Sequence, residues 1–200
     1  MQGLKGLRPR IFQRRVDFVM VTDLPAPVPP GMTDRLLVLP ITREHREGIE
    51  AHIRRYHGET AQSLAMIDEN FRRGFGGFAG LLDGEIIGYR WWAGHDHDHP
   101  HFGFYGFRPA ADEVYAFGLY IARPFRKHGH AVELVAKMLD QLLALGYRRT
   151  YLLVQQDNVP SLRVQSQLGA RQVARRPVVR LFDRIVWCGG RLHRHDPLWM

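Results

Sequence analysis

"GLYIARPFRKHGHAVELVAKML" (residues 118–139) is the stretch on which the reading of this chain turns. It opens as the end of a strand that starts at Glu113, "EVYAFGLYIA". It then passes through a short basic loop and turns helical at His130. Val135, Met138, Leu139, Leu142 and Leu143 fall at helical spacing and form one apolar stripe, which Gly146 ends. In the loop, Arg126, Gly129 and Ala131 are spaced R-x-x-G-x-A. Small residues let backbone approach a ligand closely. The first N–H groups of the following helix have no intrahelical partner, and the helix dipole favours an anion beside them. That combination suits a pyrophosphate, and Arg123, Arg126 and Lys127 add positive charge. The loop is neither the G-x-G-x-x-G of a dinucleotide fold nor the G-K-[ST] of a P-loop. Taken alone, it also reads as a tight turn with solvated basic side chains.

The pattern around it is that of alternating strands and helices. "TYLLVQ" (150–155) is a buried strand. A short helix follows over 158–168, with Asn158 as N-cap and Pro160 in its first turn. Upstream, "RVDFVMVTDL" (15–24) alternates as a strand, and "PAPVPPG" (25–31) is a stiff connector. "RLLVLPI" (35–41) reads as a buried strand. Residues 42–73 are helical in pattern, capped at Thr42 and broken near Gly58. Asp83-Gly84 joins two strands as a hairpin, and "VVRLFDRIVWC" (178–188) is strand-like. The expected fold is α/β (α+β): a mixed sheet in one layered domain. Residues 1–31 are expected to be a basic arm and connector, and 32–200 the main domain.

Length and composition narrow the classes. The 200 residues suffice for one domain with a sizeable core. A single cysteine, Cys188, excludes an internal disulfide framework and fits a reducing, cytoplasmic setting. It reads as a strand residue, not a nucleophile, since nothing in the sequence places a base beside it. No apolar run is long enough to span a membrane, and no signal peptide is expected. The net charge of +8 raises polyanionic partners: nucleic acid, an anionic membrane or a phosphate-rich cofactor. No zinc-finger spacing, RNA-recognition signature or basic coiled coil supports nucleic acid, which is therefore not the expected partner.

"RKHGHA" (126–131) and "NVPSLRVQSQLGA" (158–170), in this order and strand context, resemble the GNAT superfamily of acyl-CoA-dependent N-acetyltransferases. The resemblance covers about 36–188 and implies a mostly antiparallel central sheet with helices on both faces. It implies acetyl-CoA as co-substrate, lying in a gap where the loop-preceding strand splays from its neighbour. Backbone at Leu119, Tyr120 and Ile121 would meet the pantetheine arm. The amides of Arg126, Lys127, His128, Gly129, His130 and Ala131 would hold the pyrophosphate, with Asn158 and Ser161 across the cofactor. The acceptor is expected to be a primary amine of a small molecule, attacking directly. A protein or peptide acceptor, and a non-catalytic acyl-CoA-binding module, are the alternatives. Glu113 and Tyr115, two residues apart on one strand face, are the candidates for amine activation. The sequence departs from the family at Gln165, four residues before Gly169. Many members carry there a tyrosine that protonates the departing thiolate, and glutamine cannot serve as an acid. The arm leaves open an acidic partner, or an added strand in a homodimer.

The run "AGHDHDHPHFGFYGF" (93–107) carries His95, His97, His99 and His101. Metal ligation needs several converging ligands with supporting partners, and an extended His-Asp alternation sends neighbours to opposite faces. No metal is expected. The run reads as an aromatic lip over the acceptor end of the cleft, one histidine serving as a proton carrier.

Overall fold

A computed structural model describes residues 12–32, 34–57, 60–181 and 184–188. They form an eight-stranded sheet in the order β2-β3-β4-β5-β6-β1-β7-β8. The strands are β1 (Phe12–Asp23), β2 (Leu37–Pro40), β3 (Gly76–Leu82), β4 (Glu85–Ala93), β5 (Glu113–Ile121), β6 (Arg149–Gln155), β7 (Arg171–Leu181) and β8 (Arg184–Cys188). The helices are α1 (Arg46–Tyr56), α2 (Thr60–Arg72), α3 (Pro100–Tyr105), α4 (His130–Ala144) and α5 (Val159–Gln167). Every strand pair is antiparallel except β5 with β6. The sheet is mixed and mostly antiparallel, as expected.

Local chemistry explains most boundaries. Asp83 and Gly84 both take positive φ, 51° and 83°, which suits the tight two-residue turn between β3 and β4. Gly146, at φ 93°, closes α4 where the apolar stripe ends. Asn158 caps α5 by accepting a hydrogen bond from the Ser161 amide at 3.2 Å, with Pro160 in the first turn. The break between α1 and α2 falls where it was expected, although Gly58 itself lies outside the described residues. So does the side chain of Cys188, which ends β8.

Helices cover both faces. Ile49, Ile53, Ile67, Phe102 and Tyr105, from α1, α2 and α3, pack on Tyr89, Trp91, Tyr115 and Tyr151. On the opposite face the α4 stripe of Leu134, Val135, Met138, Leu139 and Leu142 packs on Phe78, Val114, Ala116 and Ile121. Glu133 of α4 is buried and accepts from the Leu36 amide at 2.7 Å. Lys137 completes the link through Glu133, Asp34 and the Leu36 carbonyl. These bonds hold the entry to β2 against the helix that carries the basic loop.

The boundary expected at residue 31 does not coincide with an edge of the sheet. β1 pairs with β6 from Asp17↔Gln155 to Asp23↔Arg149, and with β7 from Phe12↔Leu181 to Val21↔Arg171. Its Val19, Met20 and Val21 are buried. The N-terminal strand is thus an interior strand of the same sheet, not an arm lying outside it. The alternation was legible in the sequence, but the pairing partners are 126 or more residues away and leave no local signal.

Removing residues 1–24 is expected to abolish cooperative unfolding, because β6 and β7 lose the strand that joins them and a buried apolar row is exposed. A urea titration followed by circular dichroism checks this. A truncated chain that still unfolds in one sharp transition would show that β6 and β7 can pair directly.

Candidate functional site

β5 and β6 stay in register over three pairs, Glu113↔Arg149, Val114↔Thr150 and Tyr115↔Tyr151. Beyond them the strands part. Tyr115 and Ala116 are buried, whereas Gly118 is exposed. On its other side β5 carries one extra residue: Tyr89↔Tyr120 and Trp91↔Phe117 leave Arg90 facing both Gly118 and Leu119. Gly118 takes φ 61° in this bulge, a conformation that favours glycine. A parallel strand pair that opens beside a bulge leaves unpaired backbone in a cleft.

The basic loop lies at the end of β5. Lys127 and Gly129 take φ 70° and 82°, and Gly129 caps α4 without a side-chain bond. The helix's first bonds run from Val132 and Glu133 to the Gly129 carbonyl. Among the described residues, no hydrogen bond is donated by the backbone N–H groups of 127–131. This cluster of orphan donors at a helix start, with Arg126 and Lys127 beside it, fits a pyrophosphate. Arg126 is partly committed elsewhere. Its Nε donates to the Ile121 carbonyl at 2.8 Å, and its guanidinium lies over the Tyr120 ring. A cavity of about 300 Å³ adjoins the loop, walled by Gly129, Val132, Gln167 and the connector residues Pro30 and Met32. The proline connector therefore reaches the loop, which the sequence did not foreshadow.

The other expected residues fall into different settings. The Asn158 side chain is spent on its cap, and Ser161 lies in the first turn of the same helix. Gln165 is buried on α5. Glu113 is also buried, but its carboxylate is fully engaged. One oxygen accepts from Tyr151 Oη at 2.9 Å and Arg149 Nη1 at 3.2 Å, and the other accepts from the Ala110 amide at 3.0 Å. It fastens β5 to β6 at the closed end of the pair.

Tyr115 is likewise buried, and its hydroxyl lies 2.7 Å from His101 Nδ1. Burial raises its pKa well above the usual tyrosine value. The histidine run is not an extended lip. Residues 100–105 form α3, whose N-cap His99 accepts from the His101 amide at 3.1 Å. His97 accepts from the Gly94 amide through Nδ1 and so presents Nε2–H to the Gly74 carbonyl, 2.9 Å away. His99 packs on Phe75, Tyr115 and Phe117. Among the described residues, no group of three or more His, Cys, Asp or Glu is placed to hold a metal ion.

Sequence reasoning missed the other wall. His57, just after α1, stacks on Tyr120 with ring centroids 3.8 Å apart. Its Nε2 lies 3.3 Å from Tyr89 Oη and its Nδ1 3.1 Å from Ser63 Oγ. Burial, then the Arg126 charge, lowers its pKa. Tyr120 in turn donates to the Tyr56 carbonyl at 3.1 Å. A histidine in a helix connection gives no periodic signal, so only the packing reveals it.

A sheet opened beside an amide cradle is suited in shape and in hydrogen-bond donors to a long, phosphate-bearing ligand. A model of the acetyltransferase (GNAT) family matches residues 45–170, and the chain belongs to that family. Acetyl-CoA is the usual co-substrate of that family, and the free amides of 127–131 fit its pyrophosphate. A GNAT-family protein from Novosphingobium aromaticivorans is 17% identical, with a TM-score of 0.55 over 85% of this chain and 66% of its own. A GNAT acetyltransferase from Colwellia psychrerythraea gives 13% and 0.61 over 85% and 56%. A GCN5-related N-acetyltransferase from Sphaerobacter thermophilus gives 15% and 0.58 over 90% and 55%. The chain thus spans between about half and two thirds of the length of these structures, and they share its fold. Among curated proteins, none matches the sequence. Among the described residues, no helix is long and apolar enough to cross a membrane.

Burial pushes His99 down to about 3 and His101 to about 4, against about 6.5 in an unfolded chain. Between those values the unfolded chain binds protons that the folded one refuses. Stability is therefore full above about pH 6.5 and falls as the pH drops toward 4. The urea midpoint is expected to decline from pH 7 to pH 4.5. Burial also lowers His52, His57 and His130, so a His99→Asn/His101→Gln variant should flatten this decline without erasing it. An unchanged slope in the variant would contradict the assignment.

Proposed function

We propose that the protein is an acetyl-CoA-dependent N-acetyltransferase acting on a primary amine of a small molecule. The observation that carries this reading is the three-residue β5–β6 pairing, opening onto a bulge at Gly118–Leu119 beside the amide cradle at 127–131. The cradle holds the pyrophosphate, and the unpaired backbone of β5 past Tyr115 meets the pantetheine arm. The N–H groups at the bulge are placed to hold the thioester carbonyl, and the acceptor approaches from the face that carries α1 and α2. That positioning, with a hydrogen bond to the developing oxyanion, is the main catalytic contribution. The amine nitrogen attacks the carbonyl carbon directly, so no acyl-enzyme is needed.

His57 is the proton acceptor in this scheme. It lies against Tyr120, the residue directly after the bulge, and burial and then the Arg126 charge favour its neutral form. A neutral imidazole is the form a base requires. Tyr115, with His101 behind it, lines the closed end of the same face. A half-buried wall of His57, Tyr56 and Tyr120 suits a compact amine with an apolar body.

CoA and acetyl-CoA are expected to raise the melting temperature by mass action, and Gly129→Glu should abolish the shift by placing a carboxylate in the cradle. No shift for the wild type at millimolar acetyl-CoA would overturn the reading. With an acceptor found by screening amines for thiol release, His57→Asn should lower kcat/KM by about 10²-fold. The acid limb of the wild-type profile should lie below the ordinary histidine range, because the His57 pKa is lowered. Glu113→Gln is the contrasting variant. It should cost about 1–3 kcal/mol of stability through unsatisfied partners and leave CoA affinity nearly unchanged.

A further inference from the structure

Arg90 is the least comfortable residue in the protein. It is 2% exposed, and its Nε and Nη1 have no hydrogen-bond partner within the chain. Between Tyr89 and Trp91, which pack against α1 and α2, it leaves β4 toward the opposite face, level with Phe78 across the strand pair. There it lies beneath the bulge, opposite Gly118 and Leu119. A buried cation with two of its three nitrogens unpartnered is costly to a core. Burial pushes its pKa down only to about 10, so it remains charged at neutral pH. Tyr115, the last paired residue before the cleft, is close enough to feel that charge. Nothing in the packing of the core calls for a guanidinium here.

The structure assigns this charge a use: we propose that Arg90 stabilises the negative charge that develops on the thioester as acetyl transfer proceeds, on the carbonyl oxygen first and on the departing sulfur last. The inference rests on the acetyl-CoA reading, which puts the thioester at the bulge. The amine nitrogen forms a bond to the carbonyl carbon, and the C=O electron pair moves to oxygen. His57 takes the amine proton. When the C–S bond breaks, its electron pair leaves on sulfur as a thiolate. Gln165 stands where a tyrosine would supply a proton to that sulfur, and it has no acidic proton to give. A fixed positive charge beneath the bulge lowers the barrier to departure without any proton. This explains how the chain can turn over with glutamine at that position, and why a destabilising residue is kept.

The test needs no acceptor. CoA bound to the full chain is titrated by the ultraviolet absorbance of its thiolate. In the wild type the thiol is expected to ionise with an acid constant about tenfold or more above that of free CoA, as an adjacent opposite charge dictates. In Arg90→Met it should return to the free value, with CoA still bound and the melting temperature of the ligand-free protein raised. Arg90→Lys should retain part of the shift. Normal thiol ionisation in the CoA-bound wild type would overturn the proposal, as would an equal shift in Arg90→Met. A lower melting temperature together with lost CoA binding in Arg90→Met would overturn it too, showing a residue that merely holds the core. If the wild type binds no CoA at all, it is the acetyl-CoA reading that fails.

Discussion

The short parallel contact between β5 and β6 is the constraint on which the rest depends. A longer ladder would close the sheet and leave no cleft. No ladder at all would leave two loose edges. Three pairs suffice because they are fastened from several sides. Glu113 ties β5 to Arg149 and Tyr151 of β6, and β1 pairs with the whole of β6 from its other edge. The β4–β5 ladder holds the opposite flank up to the bulge. The strands separate only where those restraints end, and the residues of 127–131 present their free amides just beyond that point.

The position of β1 follows from the same requirement. β6 faces a cleft on one side past Tyr151 and needs a full partner on the other to satisfy its backbone groups. An N-terminal strand supplies that partner and also carries Asp17 into the face that holds α3, where Tyr105 and Arg15 bond to it. The connector then crosses toward α4, where the Glu133 and Lys137 bonds hold residues 34–36. On its way it contributes Pro30 and Met32 to the cavity beside the cradle. A segment that looked peripheral in sequence thus braces both ends of the site.

The polar residues divide by what their burial accomplishes. Glu113, Glu133 and His97 are buried or half-buried with partners, and each fixes the relation between two elements. Arg90 is buried with Nε and Nη1 lacking a partner in the chain, which is a cost to the fold and the reason it points to chemistry. The histidine run belongs to the first class. Its hydrogen bonds organise a short helix that fills the closed end of the cleft, and burial keeps His99 and His101 neutral.

The sequence by itself determined the strand–loop–helix at 113–144, the hairpin at Asp83-Gly84, the cap at Asn158 and the family signature. Each is a matter of local geometry: small residues where φ is positive, caps where a helix begins, apolar spacing at the period of the element. It also showed that a tyrosine is absent at Gln165. What only the tertiary structure decided is which distant groups meet. That β1 lies between β6 and β7, that Glu113 is consumed by Arg149 and Tyr151, that His57 stacks on Tyr120 and that Arg90 lies beneath the bulge with Nε and Nη1 unpartnered all depend on contacts between residues 28 to 169 positions apart. Such contacts are set by the packing of the whole sheet, and no residue's neighbours in the chain record them.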